Sequence, residues 1–282
     1  MADTVNLLGQ YLRARRDLVT PAQAGIPQIG MRRVPGLRRE EVAMLAGISS
    51  DYYLRLEQGR DHSPSRQVLE ALARVLQLDE DGAVYLLSLA GDRPRPTRRR
   101  VRREVVPAGV STLVDTIGFP AFVEGRYFDV LAANPMAAAL SPRLTVGANR
   151  LRDVFLDPAE RDLYPDWDAV TRQLIAGFRE SVGTDVENQR FVELVGSLSL
   201  ASPRFRELWG RHDVTRREGA TITLDHPQVG ALTLYREKLP ITGTAGQMLV
   251  LYHPEPGGKD ADALTLLSAS ALPVRDPAHS DR

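Results

Sequence analysis

The sequence predicts two modules: an all-α N-terminal part, then an α+β part built on an antiparallel sheet. Three observations carry this. The first ninety or so residues are short amphipathic helical segments punctuated by Gly, Pro and Ser. The remainder mixes long amphipathic helices with strand-like alternation. Between them, Asp92 to Arg103 holds two prolines and seven arginines with no apolar period, which reads as an exposed linker. The expected boundaries are 1–92 for the first module, 93–105 for the linker, 106–272 for the second module and 273–282 for a disordered tail.

Taken in order, Leu7, Leu8, Tyr11, Leu12 and Arg15 fall at helix spacing. Thr20 to Gly36 is rich in proline and glycine and is expected to be a loop. Arg39 to Ala46 forms a helix with Val42, Ala43, Leu45 and Ala46 as its apolar positions, and Gly47 ends it. Ser49 or Ser50 caps the next helix, which carries Tyr53, Leu54, Leu56 and Glu57 and stops at Gly59. Pro64-Ser65 opens a helix with Val68, Leu69, Leu72, Ala73 and Leu76 on one face, and Asp79 to Ala90 is a fifth. After the linker, Val110 to Thr116 reads as helix. Pro120 to Ala133 reads as a hairpin, with strands Ala121 to Val123 and Tyr127 to Leu131 around a turn at Glu124-Gly125. Asn134-Pro135 is a helix start, with Asn134 as cap. Helices are expected over Asp166 to Val182, Asn188 to Leu200 and Pro203 to Trp209. Strands are expected over Thr215 to Leu224, Gly230 to Leu239 and Met248 to His253. Ala261 to Ala269 is a closing helix.

Composition narrows the function classes. The chain has 282 residues, 43% hydrophobic and 26% charged, enough for a real core. Cysteine is absent, so disulfides, thiolate metal sites and cysteine nucleophiles are excluded. The first residues lack the apolar stretch of a signal peptide, and no run is long and apolar enough for a membrane span, so a cytoplasmic protein is expected. Neither the spacing of the five histidines nor any phosphate-loop or Gly-x-Ser-x-Gly pattern points to a metal, a cofactor or catalysis. No catalytic, metal or cofactor site is expected. Net charge is zero, but the halves differ. Residues 1–103 carry 18 Arg against 12 acidic residues, +6, and residues 104–282 carry 18 basic against 24 acidic, −6. A basic module on an acidic one suggests that the first meets nucleic acid.

The segment Arg38 to Glu57 carries a helix-turn-helix signature. Ala43 permits close helix crossing, Gly47 permits the left-handed turn, and Ile48 and Leu56 fill the core beneath the second helix. Ser50, Asp51 and Arg55 then project from that helix toward base edges. This segment, with Leu56-Glu57-Gln58-Gly59-Arg60 after it, resembles the lambda-repressor-like (XRE) helix-turn-helix family. The resemblance implies that Glu57 pairs with an arginine of the first helix, best matched by Arg16. It also implies that Arg39, with Arg38 beside it, clamps phosphate at a helix N-terminus. Arg55 is the expected bidentate guanine reader. The remaining expected DNA contacts are Ser49, Ser50, Asp51, Tyr52 to the backbone, and Arg60, with Ser63 and Ser65 at the far side. For Arg32, Arg33 and the linker arginines, phosphate contact and plain solvation both stay open.

The second module carries Phe119-Pro120-Ala121-Phe122-Val123 and Phe128-Asp129-Val130-Leu131-Ala132-Ala133-Asn134. It also carries Phe178-Arg179, Leu208-Trp209 with His212 and Val214, His226-Pro227 followed by Val229-Gly230, and Leu249-Val250 with Tyr252. In this order, and with Pro35 to Ala43 upstream, they resemble the MmyB-like regulator family over about Leu7 to Leu267. That resemblance implies a PAS-like ligand-binding domain that holds a fatty-acyl or similar lipophilic molecule and supports a homodimer. From the residues, Phe122, Phe128, Val130, Trp167, Leu174, Phe178, Leu198, Phe205 and Trp209 are available either to line a cavity or to pack a core. Arg126, Arg179 and Arg190 are available to meet a ligand carboxylate. The expectation is a sequence-specific, DNA-binding transcription regulator, not an enzyme, with double-stranded DNA and a fatty-acid-like ligand as partners. The alternative is a constitutive DNA-binding protein whose second domain serves only dimerisation or a protein partner.

Overall fold

The computed structural model describes residues 6–27, 34–61, 63–90, 104–183, 185–186, 188–214 and 219–271. The residues expected to form the linker through Arg103, Arg32, Arg33, the start of the expected strand at 215–218, and the expected tail lie outside the described residues.

The chain divides into two compact units. The first comprises Met1–Arg99, Ile175–Val192 and Pro203–Arg216. Its N-terminal part is five helices: α1 (Leu7–Leu18), α2 (Arg39–Ala46), α3 (Ser50–Gln58), α4 (Arg66–Val75) and α5 (Glu80–Ala90). Short polar side chains set the helix starts. Asn6 Oδ1 accepts from Gly9 N–H at 2.9 Å, Ser49 Oγ from Tyr52 N–H at 3.1 Å, and Ser65 Oγ from Val68 N–H at 3.3 Å. Gly47 stops α2 at φ +70°, as the turn requires. Gly9 has a different reason: a Cβ there would lie 2.2 Å from the Glu57 carbonyl, so α1 and α3 meet backbone to backbone. The core beneath is Leu8, Tyr11, Leu12, Leu37, Val42, Tyr53, Leu56, Leu72 and Leu86, with Tyr11 meeting Tyr85 edge-on at 5.2 Å.

The second unit comprises Arg100–Leu174, Glu193–Ser202 and Arg217–Arg282. Its described residues form a five-stranded antiparallel sheet in the order β2-β1-β5-β4-β3. The strands are β1 (Ala121–Glu124), β2 (Val130–Ala133), β3 (Ala220–His226), β4 (Gly230–Pro240) and β5 (Met248–His253). Period-2 burial is plain in β3, where Ile222, Leu224 and His226 are buried and Thr221, Thr223 and Asp225 are exposed. The helices of the second module are α6 (Ala108–Thr116), α7 (Pro135–Leu140), α8 (Arg150–Leu156), α9 (Pro158–Asp162), α10 (Trp167–Val182), α11 (Gln189–Ala201), α12 (Pro203–Arg211) and α13 (Lys259–Ala271). The fold class expected from sequence is the one observed.

Helices α8 and α9 were not expected from the sequence, and two further details differ from it. The second hairpin strand starts at Val130 rather than Tyr127, because Phe128 turns at φ +63° and the β1–β2 register slips between Val123 and Glu124. The contact-defined units also cut across the order of the chain. Ile175–Val192 and Pro203–Arg216 pack with the N-terminal helices. Val214 joins the core of Leu12 and Tyr85, and Arg15 Nη1 meets Asp213 Oδ1 at 2.6 Å.

Candidate nucleic-acid interface and ligand domain

One carboxylate organises the helix-turn-helix. Glu57 is buried at its side chain, 3% exposed, and accepts Arg16 Nε at 2.7 Å and Arg39 Nε at 2.6 Å on its two oxygens. Three helices, α1, α2 and α3, are thereby tied at one point. Arg16 also donates through Nη1 to the Leu37 carbonyl at 2.9 Å. Burial alone would pull the Arg16 pKa down, but the hydrogen bond and charge of Glu57 more than reverse this and hold it charged. The expected Arg16–Glu57 pair is present. The second partner, Arg39, was not expected in that role. Its side chain is 43% exposed, so one end packs on Glu57 while its remaining donors face solvent.

The expected DNA-contacting residues fall into two kinds. Ser50, Asp51, Arg38 and Arg60 are exposed, and Arg55 and Tyr52 are half-buried on the same helix or beside it. Arg55 Nη1 bonds to Asp51 Oδ2 at 2.5 Å, and its guanidinium stands 5.6 Å from the Tyr52 ring centre. The i, i+4 pair holds the guanidinium in one orientation and leaves donors over for a base edge. Ser49 is committed first to capping α3, and Ser65 to capping α4. Arg38 N–H donates to Glu41 Oε2 at 2.6 Å, closing a return bond at the start of α2.

The nine apolar residues named from sequence are not one group in the structure. Phe122, Phe128, Val130, Trp167, Leu174 and Leu198 belong to the second unit, whereas Phe178, Phe205 and Trp209 belong to the first. These last three form an aromatic cluster with Phe191. Ring centres are 5.8 Å apart for Phe178–Trp209 and Phe205–Trp209 and 6.1 Å for Phe178–Phe191. Arg179 lies against Trp209, 3.9 Å from its ring centre, and donates to the Trp209 carbonyl at 2.5 Å. It is therefore engaged inside the first unit. Arg190 is in that unit as well, and Arg126 is in the second.

In the second unit Trp167 is half-exposed. It donates from Nε1 to the Val154 carbonyl at 2.9 Å, with Arg161 over its ring at 4.7 Å. It borders a polar surface pocket of about 410 Å³ shared with Asp162, Asp166 and Asp168. Phe122 and Phe128 are fully buried and each faces a cation: Arg150 stands 5.4 Å from the Phe122 ring centre and Lys238 5.2 Å from that of Phe128. Glu124, wholly buried, lies between these cations, 3.5 Å from Arg150 Nη1 and 3.2 Å from Lys238 Nζ. Sequence reasoning missed all three charged residues. The one available signal was Arg150 at the first position of α8, where the helix dipole disfavours a cation.

No helix among the described residues is long and apolar enough to cross a membrane. Nor do those residues place three or more His, Asp or Glu side chains to hold a metal ion. Residues 106–267 match the model of the MmyB-like transcription regulator ligand binding domain, and residues 7–84 match a helix-turn-helix domain model. No curated protein matches the chain.

Proposed function

Because the chain belongs to the MmyB-like transcription regulators, a family of DNA-binding regulators, we propose that it reads a specific operator through α3 and answers to a small lipophilic ligand held in its second domain. The observation that carries the DNA reading is the α2–Gly47–α3 turn. It presents Ser50, Asp51 and Arg55 on the open side of a helix whose other side is core. Arg55 reads guanine, Ser50 and Asp51 read neighbouring bases, and Ser49 and Tyr52 contact backbone. Arg38, Arg39 and Arg60 take phosphate, with the positive end of α2 adding to the attraction. The protein works in the cytoplasm as a homodimer whose two heads meet half-sites about one helical turn apart, roughly 34 Å.

Ligand binding acts by favouring one arrangement of the two heads over another, which requires unequal affinity for the two. The ligand belongs in the second unit, where Phe122, Phe128, Val130, Leu174 and Leu198 supply apolar surface. Selection of binding sites from random DNA, followed by Arg55→Ala on the selected site, tests the DNA reading. The expected result is a loss of base discrimination at one position of about 1–3 kcal/mol, with non-specific binding retained. An unchanged site preference removes Arg55 from base reading. Native mass spectrometry of the purified protein tests for the ligand and the dimer together: a single-mass monomer without adduct overturns both.

A further inference from the structure

Part of the unit that carries the helix-turn-helix is made from the sequence of the second module. The ligand-domain match runs over residues 106–267, yet Ile175–Val192 and Pro203–Arg216 pack with the N-terminal helices. The chain therefore passes between the two units at 99/100, 174/175, 192/193, 202/203 and 216/217, and the expected linker is only the first of these passages. The end of α10 and α12, with the residues just after it, are seated on α1 and α5. Val214 enters the core of Leu12 and Tyr85, and the Tyr85 hydroxyl hydrogen-bonds the Arg179 guanidinium. The His212 ring stands edge-on to Tyr11, 6.5 Å between ring centres.

This seat is costly to keep closed. Arg179 is 6% exposed, and besides Tyr85 it meets the Trp209 ring, the Trp209 carbonyl and His212 Nδ1, the last at 3.1 Å. Among the described residues no carboxylate bonds it. Asp213, whose charge it feels, is bonded to Arg15 at 2.6 Å and Arg211 at 3.0 Å. The Nε atoms of Arg179 and Arg15 are buried with no hydrogen-bond partner among the described residues. Burial pulls the Arg179 pKa down to about 10. His212 faces that guanidinium as a neutral acceptor and holds a left-handed backbone at φ +56°. A buried cation without a bonded counter-ion and a strained residue are both relieved when the seat opens to water. The apolar core beneath α3 has no such reason to open.

Helix α1 carries the consequence toward DNA. Arg15 and Arg16 are consecutive and stand about 100° apart around the helix. Arg15 is held by Asp213 of the seat. Arg16 is held by Glu57 of α3, whose other oxygen holds Arg39. One helix thus joins the seat to the carboxylate that organises the DNA-binding elements.

We propose that α12 and the end of α10 form a releasable latch on the helix-turn-helix. Seated, they hold α1 where Arg16 and Glu57 set α3 and Arg39 for DNA. Released, they leave that tie slack and weaken operator binding. The inference rests on the proposed DNA reading and names the regulation of that same site. A change in the second domain that draws on segments 175–192 and 203–216 alters operator affinity by the difference in DNA affinity between the seated and released forms.

Full-length protein and the operator selected from random DNA test this. Asp213→Asn, away from every residue assigned to DNA, should weaken operator binding about fivefold or more. Hydrogen exchange should speed up in Ile175–Val182 and α12 while α4 and the sheet keep their protection. The chain has no cysteine, so Arg15→Cys with Asp213→Cys places the only two thiols at the seat. Untreated, this double variant should bind operator as weakly as Asp213→Asn. Bridged by a short bifunctional thiol reagent, it should regain wild-type affinity, a recovery that a merely lost ion pair would not show. Wild-type operator affinity in Asp213→Asn, or a bridged variant no tighter than the unbridged one, overturns the latch and leaves DNA reading standing. Exchange of α12 only together with α1, α3 and α4 as one unit overturns it as well. A wild-type chain that selects no DNA sequence overturns the DNA reading itself and this inference with it. If the double variant does not fold, Asp213→Asn alone decides.

Discussion

Glu57 joins a stabilising contact to an arginine that the proposed function assigns to phosphate. Its two oxygens hold a buried arginine from α1 and a half-exposed one from α2. Removing its charge leaves the buried Arg16 with only the exposed Asp17 as counter-ion, at 2.9 Å, so Glu57→Gln should cost on the order of 2–3 kcal/mol of unfolding free energy. Arg39→Ala removes only the exposed partner and should cost under about 1 kcal/mol. In DNA binding the order reverses: Arg39→Ala should weaken all sequences alike and flatten the salt dependence by about one ion. Urea denaturation and salt titration of the two variants separate the roles. The Arg16–Glu57 pair was legible only through the resemblance to the lambda-repressor-like family, which implies it. The share of Arg39 in it was not, since spacing says nothing of which arginine turns inward.

At the scale of elements, junctions carry the fold of the second unit. Asn134 was legible as a helix cap, and its Oδ1 does accept from Ala137 N–H at 2.9 Å. The same side chain also accepts from Ala121 N–H at 3.1 Å, and its Nδ2 reaches the carbonyls of Ile117 at 3.0 Å and Phe119 at 2.8 Å. It thus fastens the end of α6, the start of β1 and the start of α7 to one another. Asn134→Ala should cost more than the ~1 kcal/mol of a lost cap, about 2–4 kcal/mol, because several buried polar groups lose partners together. Asn134→Asp keeps the cap but not the donors and should fall in between. Thermal unfolding of the three proteins gives the order. The longer helices α10 and α11 and strands β4 and β5 were legible from periodicity. The β1–β2 register was not, because it turns on the backbone of one residue, Phe128.

At the scale of the whole molecule, acid acts on the two units in opposite directions. His212 in the first unit is pushed down to about 3 by burial and then by the charges of Arg179 and Arg15. The unfolded chain takes up this proton near pH 6.5, the folded one only near 3, so stability falls as pH drops below about 6.5, by at most ~1.4 kcal/mol per pH unit. Asp153 in the second unit is raised from 3.8 to about 6, so the folded state there holds a proton that the unfolded state releases. Its contribution favours folding as pH falls from about 6 toward 4. Hydrogen exchange at pH 7.5 and pH 5 should therefore show loss of protection in α1 and α12, beside His212, ahead of β1 and α8. His212→Asn, which tolerates the left-handed backbone at φ +56°, should remove the loss.

The amino-acid sequence by itself determined the two modules, their order, the helix-turn-helix and most element boundaries. Those follow from local rules, namely apolar period, caps, turn glycines and the charge contrast between the halves. Tertiary structure alone decided which distant residues share a core. It put Phe178, Phe205 and Trp209 in one unit and Phe122 and Phe128 in the other. It also gathered Glu124, Arg150 and Lys238, which lie on β1, α8 and β4. Periodicity assigns a residue to a face, but a buried charge is defined by partners from other elements, and no local pattern records those. The zero net charge resolves in the same way, as the sum of a basic DNA-reading module and an acidic module, the second keeping two of its cations buried.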